Sequence, residues 1–156
     1  MRAMQVADLM TRDVVAVRPD TSVNDVAKRM LERGLSGLPV VDDDGRVVGI
    51  ITELDMILHH ARLEGPVFLQ IFDAAIPLEL PGHLRDRLRH ILGTRAEDVM
   101  TRDVHAIGPD SDVEDLVEIM VKKRANPVPV VEEGRLVGIV SRSDIIRGMA
   151  AELGEA

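Results

Sequence analysis

The sequence predicts an α/β (α+β) fold of two β-α-β-β-α repeats, packed through their sheets with pseudo-twofold symmetry. Two observations predict it. The stretch GLSGLPVVDDDGRVVGIITELD at Gly34–Asp55 returns as RANPVPVVEEGRLVGIVSRSD at Arg124–Asp144. Aligning residues 7–57 with 97–146, with one deletion in the acidic turn, gives about 22 identities in about 50 pairs, far above chance. A period of about 90 residues is too long for a solenoid unit, so two copies packed on one another account for it better.

Each element has its own signal. Val14–Val17 is a short apolar run stopped at Pro19-Asp20, which predicts a strand. Thr21 or Ser22 then caps a helix with Val23, Val26, Ala27, Met30 and Leu31 on one face, closed by Gly34. Leu38–Val41 and Val47–Ile51 predict strands joined through Asp42–Arg46 as an antiparallel hairpin. A second helix starts near Thr52 and carries Leu54, Ile57, Leu58 and Ala61. From Val99 the order repeats, with Met100-Thr101-Arg102-Asp103-Val104 matching Met10-Thr11-Arg12-Asp13-Val14. The expected division is a first repeat over 1–63, a linker over 64–95 and a second repeat over 96–156, the repeats forming one module. Within the linker, Leu84, Leu88, Ile91 and Leu92 predict an amphipathic helix, and Phe68, Phe72 and Ile76 add apolar surface suited to covering a sheet or meeting another subunit.

Composition removes several function classes. The net charge is −8 and there is no Trp or Tyr, which argues against nucleic-acid binding by phosphate contacts or base stacking. Cysteine is absent, which excludes disulfides, thiolate metal sites and thiol catalysis. No apolar run approaches the roughly 18 residues of a membrane span, and no signal-like core opens the chain, so a soluble cytoplasmic protein is expected. His59, His60, His83, His90 and His105 lack the spacing of a metal pair, and no P-loop, GxGxxG or Ser-His-Asp spacing is present. Asp42-Asp43-Asp44-Gly45 reads as a solvated hairpin turn before it reads as a calcium loop. No catalytic or metal-ligating residue is assigned, and an enzyme is not expected.

The chemistry that remains sits at the strand–helix junctions. Thr52 and Asp55, and Ser141 and Asp144, stand where a helix begins, and its free N–H groups and dipole favour a phosphate. An Asp one turn in can accept hydrogen bonds from a ribose diol. The same S/T-x-x-D pattern is also close to a capping box, which needs no ligand.

The ordered set V-x-x-x-P-D-x-S/T, helix, L-P-V-V-D, G-R-V-V-G-I-I-T-x-x-D resembles the CBS domain, and its tandem occurrence resembles the CBS pair, or Bateman module. The resemblance covers about residues 6–63 and 96–149. It implies a regulatory sensor with two clefts for an adenosine-containing ligand: AMP, ADP, ATP, S-adenosylmethionine or NAD. It also implies a homodimer and a regulated protein partner. Carried over by position, the preferred cleft joins Val15, Leu35, Ser36, Gly37 and Pro39 with Ser141, Arg142 and Asp144. The other joins Thr52 and Asp55 with His105, Ala125, Asn126 and Pro129. Arg142 is expected beside the phosphates of the preferred cleft, and Glu53, its counterpart, beside those of the other. The second copy departs from the family form at Ala125-Asn126-Pro127 and at His105. Two rival readings stand beside the sensor: a structural dimerisation module without a small-molecule ligand, and a small enzyme or metal-binding protein.

Overall fold

The computed structural model describes residues 2–64, 67–71, 74–78, 81–84 and 95–154. The chain begins with a single helical turn, α1 (Val6–Leu9), and continues through α2 (Val23–Arg33), β1 (Gly37–Val41), β2 (Val47–Thr52) and α3 (Glu53–Glu64). A hairpin of β3 (Val67–Ile71) and β4 (Ala74–Leu78) follows. The second copy then runs α4 (Ala96–Val99), α5 (Val113–Lys122), β5 (Val128–Glu132), β6 (Arg135–Val140) and α6 (Arg142–Gly154). The helix expected from Leu84 to Leu92 lies, beyond Leu84, outside the described residues, as does Phe72.

The elements form where their residues dictate. Ser22 caps α2, its hydroxyl accepting from the Asp25 N–H at 3.2 Å. Gly34 ends the helix at φ 60°, in the left-handed conformation that costs glycine little. In both copies the Pro-Val-Val strand pairs antiparallel with the Val-Gly-Ile strand, Pro39 opposite Ile50 and Pro129 opposite Ile139.

The strand expected at Val14–Val17 is reduced to one parallel bridge, Val17 to Val40, and its counterpart to Ile107–Val130. Proline explains why. The Val17 N–H donates to Pro39 O at 3.1 Å and Val17 O accepts from the Val41 N–H at 2.9 Å. The next rung would need an N–H from residue 39, and proline has none. Pro129 stops the ladder identically in the second copy, where Ile107 N–H donates to Pro129 O at 3.1 Å.

Two hydrophobic clusters form, and each is completed by a segment from the other copy. Val17, Val26, Leu38, Val40 and Ile51 bury themselves with Ala96, and Val99 and Met100 pack against them. Ile107, Leu116, Val128, Val130 and Val140 bury themselves with Val6, and Leu9 and Met10 pack against them. The backbone follows the same exchange. Val6 and Ala7 donate to Ser111 O and Pro109 O, both at 2.9 Å, while Ala96 and Glu97 donate to Thr21 O and Pro19 O at 2.7 and 2.9 Å. Thr11 then bridges Ile139, and Thr101 bridges Ile50. Each exchanged turn is held at its start by an aspartate: Asp8 accepts from the Gln5 N–H at 2.9 Å and Asp98 from the Arg95 N–H at 3.1 Å. The Gln5 N–H, and after it Arg2, keeps the Asp8 carboxyl below the usual carboxylate range.

Two glycines make the exchange possible. A Cβ on Gly49 would stand 2.8 Å from Met100 Cγ and closer still to its Sδ, and a Cβ on Gly138 would stand 2.5 Å from Met10 Sδ. Each methionine therefore packs directly on the bare backbone of the opposite copy's Val-Gly-Ile strand. The hairpins also meet at their tips, where Arg46 bridges Arg135 and the Leu136 N–H donates to Gly45 O at 3.0 Å.

Gly49→Ala is expected to destabilise the fold by about 1–3 kcal/mol, because the new methyl overlaps a packed side chain. In urea unfolding, the double variant with Met100→Ala should cost less than the sum of the single changes by at least about 0.5 kcal/mol. Strict additivity would show that the methionine does not pack there.

Candidate functional site

Strands β2 and β6 each run directly into a helix through a hydroxyl residue, and both junctions carry the same bonds. Asp55 Oδ2 accepts from the Thr52 N–H at 2.9 Å and from its hydroxyl at 3.0 Å. Asp144 Oδ2 accepts from the Ser141 N–H at 2.7 Å and from its hydroxyl at 3.0 Å. The aspartate thus turns back to hold the hydroxyl residue between strand and helix, and its carboxylate is fixed at the mouth of the helix.

The second carboxylate oxygen distinguishes the two. Asp55 Oδ1 accepts from the hydroxyl of Thr101, 3.1 Å away, which the exchanged segment delivers. Asp144 Oδ1 instead accepts from the Arg147 guanidinium, one turn further along α6. Asp144 is 8% exposed, so the pairing offsets the desolvation of a buried carboxylate. By alignment Arg147 answers to Leu58, which has no such group.

Each carboxylate faces a cleft walled by both copies. The Thr52–Asp55 cleft has a volume of about 460 Å³; Thr101, Asp103 and His105 line one side, Lys123 to Pro127 another. The Ser141–Asp144 cleft has a volume of about 370 Å³; Thr11, Asp13, Val14 and Val15 line one side, Arg33 to Gly37 another. Between them runs a common wall, since Ser36, Glu53 and Pro127 line both. The wall is tight: a Cβ on Gly37 would stand 2.7 Å from Pro127 Cδ.

Of the residues expected from sequence, Val15, Leu35, Ser36 and Gly37 meet Ser141 and Asp144 in one cleft. Thr52, Asp55, His105, Ala125 and Asn126 meet in the other. Pro39 and Pro129 do not reach either; both are fully buried in their strands. Arg142 is a correction. It was expected beside Ser141 and Asp144, but it lines the Thr52–Asp55 cleft. The cause is its backbone: as first residue of α6 it donates its N–H to Asn126 Oδ1 at 3.0 Å, which ties it to that cleft's wall. Glu53 answers to it, its N–H donating to Ser36 O at 3.0 Å, but Glu53 lines both clefts.

Sequence reasoning missed several lining residues. Thr11 and Thr101, Asp13 and Asp103, and Arg33 and Lys123 occupy matching positions in the two copies; the repeated Met-Thr-Arg-Asp was the available signal for the first two pairs, and the matching cations at the helix ends for the third. Arg147 had no such signal, because its counterpart is a leucine. Among the described residues no group of three or more His, Cys, Asp or Glu is placed to hold a metal ion, and no helix is long and apolar enough to cross a membrane.

The model of the CBS domain matches residues 6–61 and 96–151 of the chain. The uncharacterized protein MJ1426 of Methanocaldococcus jannaschii is 34% identical, over 94% of this chain and 91% of that protein. Among solved structures, the CBS domain pair of protein MJ0100 in complex with 5′-methylthioadenosine and S-adenosyl-L-methionine superposes with a TM-score of 0.71 at 26% identity, covering 94% of this chain and 99% of that one. CBSX2 in complex with AMP superposes with a TM-score of 0.73 at 24% identity, covering 94% and 96%, a likeness of fold.

Asp144→Ala removes the acceptor that holds the strand–helix junction and leaves Arg147 without its partner. A loss of about 1–2 kcal/mol is expected in chemical denaturation, the size of a lost helix cap. Asp144→Asn keeps an oxygen for the Ser141 N–H and should retain at least half of that stability.

Proposed function

The chain belongs to the CBS domain family, which it carries twice in tandem, and from that premise we propose that it is a regulatory module binding an adenosine-containing ligand in its two clefts. One observation carries the reading: at both junctions a helix-capping aspartate faces a cleft whose far wall comes from the other copy. The positive end of the helix dipole suits a phosphate, and the carboxylate has a lone pair left for a ribose hydroxyl. Leu35, Ser36 and Gly37 on one side, and Ala125 and Asn126 on the other, offer the adenine its wall. The complexes of MJ0100 with 5′-methylthioadenosine and S-adenosyl-L-methionine support the ligand class. The module performs no chemistry in this reading. Ligand shifts the angle between the copies by binding one arrangement more tightly than another, and a partner protein reads the shift.

The same reading includes a homodimer. Leu31 on α2 and Ile57 on α3 are 84% and 64% exposed, and their counterparts Val121 on α5 and Ile146 on α6 are 70% and 65% exposed. Between α5 and α6 lies a groove of about 540 Å³ lined by Val117, Met120, Val121, Ile145 and Ile146, with Arg124 and Arg142 at the side it shares with the Thr52–Asp55 cleft. Apolar surface of this kind at matching positions of both copies suits burial against a second chain. It also favours the rival, a dimerisation module with empty clefts, because each aspartate is already bonded by its own cap.

A thermal-shift panel of AMP, ADP, ATP, S-adenosylmethionine and NAD separates the two. Ligand at a hundred times its Kd should stabilise by about 2.7 kcal/mol, which for a chain of this size raises Tm by roughly 5–10 °C. No shift with any of the five would favour the structural module.

In sedimentation equilibrium the wild type should run at twice its 17.1 kDa mass. Ile57→Glu with Ile146→Glu should return it to a single chain. A wild-type monomer at micromolar concentration would refute the dimer.

A further inference from the structure

We propose that the two clefts are specialised by charge: the Thr52–Asp55 cleft takes a phosphorylated adenosine, and the Ser141–Asp144 cleft takes an adenosine whose 5′ substituent carries no phosphate. Glu53, on the wall between them, enforces the division. The inference rests on the adenosine reading above and assigns a ligand class to each cleft.

The charges that line the clefts differ in number and in availability. Lys123, Arg124 and Arg142 line the Thr52–Asp55 cleft, and among the described residues none of the three is in an ion pair. Asp55, one of the carboxylates they face, is already bonded to Thr52 and Thr101. Those partners are neutral, so its charge persists, and the three cations balance three carboxylates, Glu53, Asp55 and Asp103. The Ser141–Asp144 cleft has two cations, and Arg147 is committed to Asp144. That leaves Arg33 against Asp13 and Glu53. A phosphate entering there meets more negative than positive charge; a neutral or positively charged substituent does not.

The asymmetry comes from particular exchanges between the copies. Gly34 in the first answers to Arg124 in the second, and Glu53 answers to Arg142, so both changes place their cation in the Thr52–Asp55 cleft. The one change that adds a cation to the other cleft, Leu58 to Arg147, adds it where Asp144 holds it. Glu53 borders both spaces. In the larger cleft three cations balance it together with Asp55 and Asp103, whereas in the smaller one it joins Asp13 against Arg33 alone, a deficit of one positive charge. At the intermediate dielectric of a partly open cleft, one unit charge near a phosphate changes affinity by roughly tenfold.

The test is calorimetric titration of the full chain with two probes that differ only at the 5′ position, AMP and the neutral 5′-methylthioadenosine. AMP is expected at one tight site per chain, with saturating AMP leaving a second site open to 5′-methylthioadenosine. Asp55→Asn should weaken AMP at least tenfold more than it weakens 5′-methylthioadenosine, and Asp144→Asn should do the reverse. Arg142→Ala, an exposed change that does not depend on the junctions folding, should weaken AMP by roughly tenfold and reduce its salt dependence. Glu53→Gln should raise AMP affinity at the second site by roughly tenfold. AMP bound equally at both sites, or lost preferentially in Asp144→Asn, overturns the inference and leaves the adenosine reading standing. An unaltered second site in Glu53→Gln removes Glu53 from it. A wild type that binds neither probe overturns the adenosine reading and this inference together.

Discussion

Neither copy of the repeat can close its own core. Val6, Leu9 and Met10 fill the second cluster, Ala96, Val99 and Met100 fill the first, and the remaining contacts depend on that exchange. Val6 is fully buried, so its transfer alone is worth about 1.5–3 kcal/mol to a copy it does not belong to in sequence. Backbone bonds from Thr11 to Ile139 and from Thr101 to Ile50 then add the exchanged segment to the edge of the opposite hairpin. The two halves are joined by covered apolar surface and by backbone pairing together, a firmer union than a linker between independent domains provides.

The exchange also builds the clefts. The segment that closes a core goes on to form one side of the space in front of the opposite aspartate: Thr101, Asp103 and His105 before Asp55, and Thr11, Asp13 and Val15 before Asp144. Any ligand in such a space touches both copies, and therefore senses how they are set against each other. The shared wall of Ser36, Glu53 and Pro127 places the two spaces back to back. A displacement of that wall, held by the close approach of Gly37 to Pro127, changes both volumes at once.

The duplication was readable because hydrophobic period, proline and turn glycines recur in order, and those features govern local structure. The hairpins, the Ser22 cap and the left-handed Gly34 followed from them. The strand at Val14–Val17 was over-read: four apolar residues satisfy the pattern, but only the partner strand reveals that Pro39 cannot supply the next rung. Val6, Leu9 and Met10 are apolar, yet apolar character does not say against which copy a residue packs. Arg142 shows the same limit in the site. Alignment placed it with its neighbour Ser141, while the side on which a helix's first residue lies is set by the tertiary bond to Asn126. Residues duplicated in both copies could have been found in pairs; Arg147, whose partner is Leu58, could only be found in three dimensions.

The exchanged segments have a consequence for synthesis. When the nascent chain has reached Ile51, the first hairpin and its helix exist, but the turn that closes their core has not been made. Ala96 comes 45 residues later, which at about 5–20 residues per second is a delay of roughly 2–9 s. For that interval the ribosome displays a half-built module with its apolar interior uncovered. Meanwhile Val6 and Met10, made first, wait for a partner that is made last. A chaperone that holds open hydrophobic surfaces would find its substrate in this window, and the finished protein would carry no sign of it.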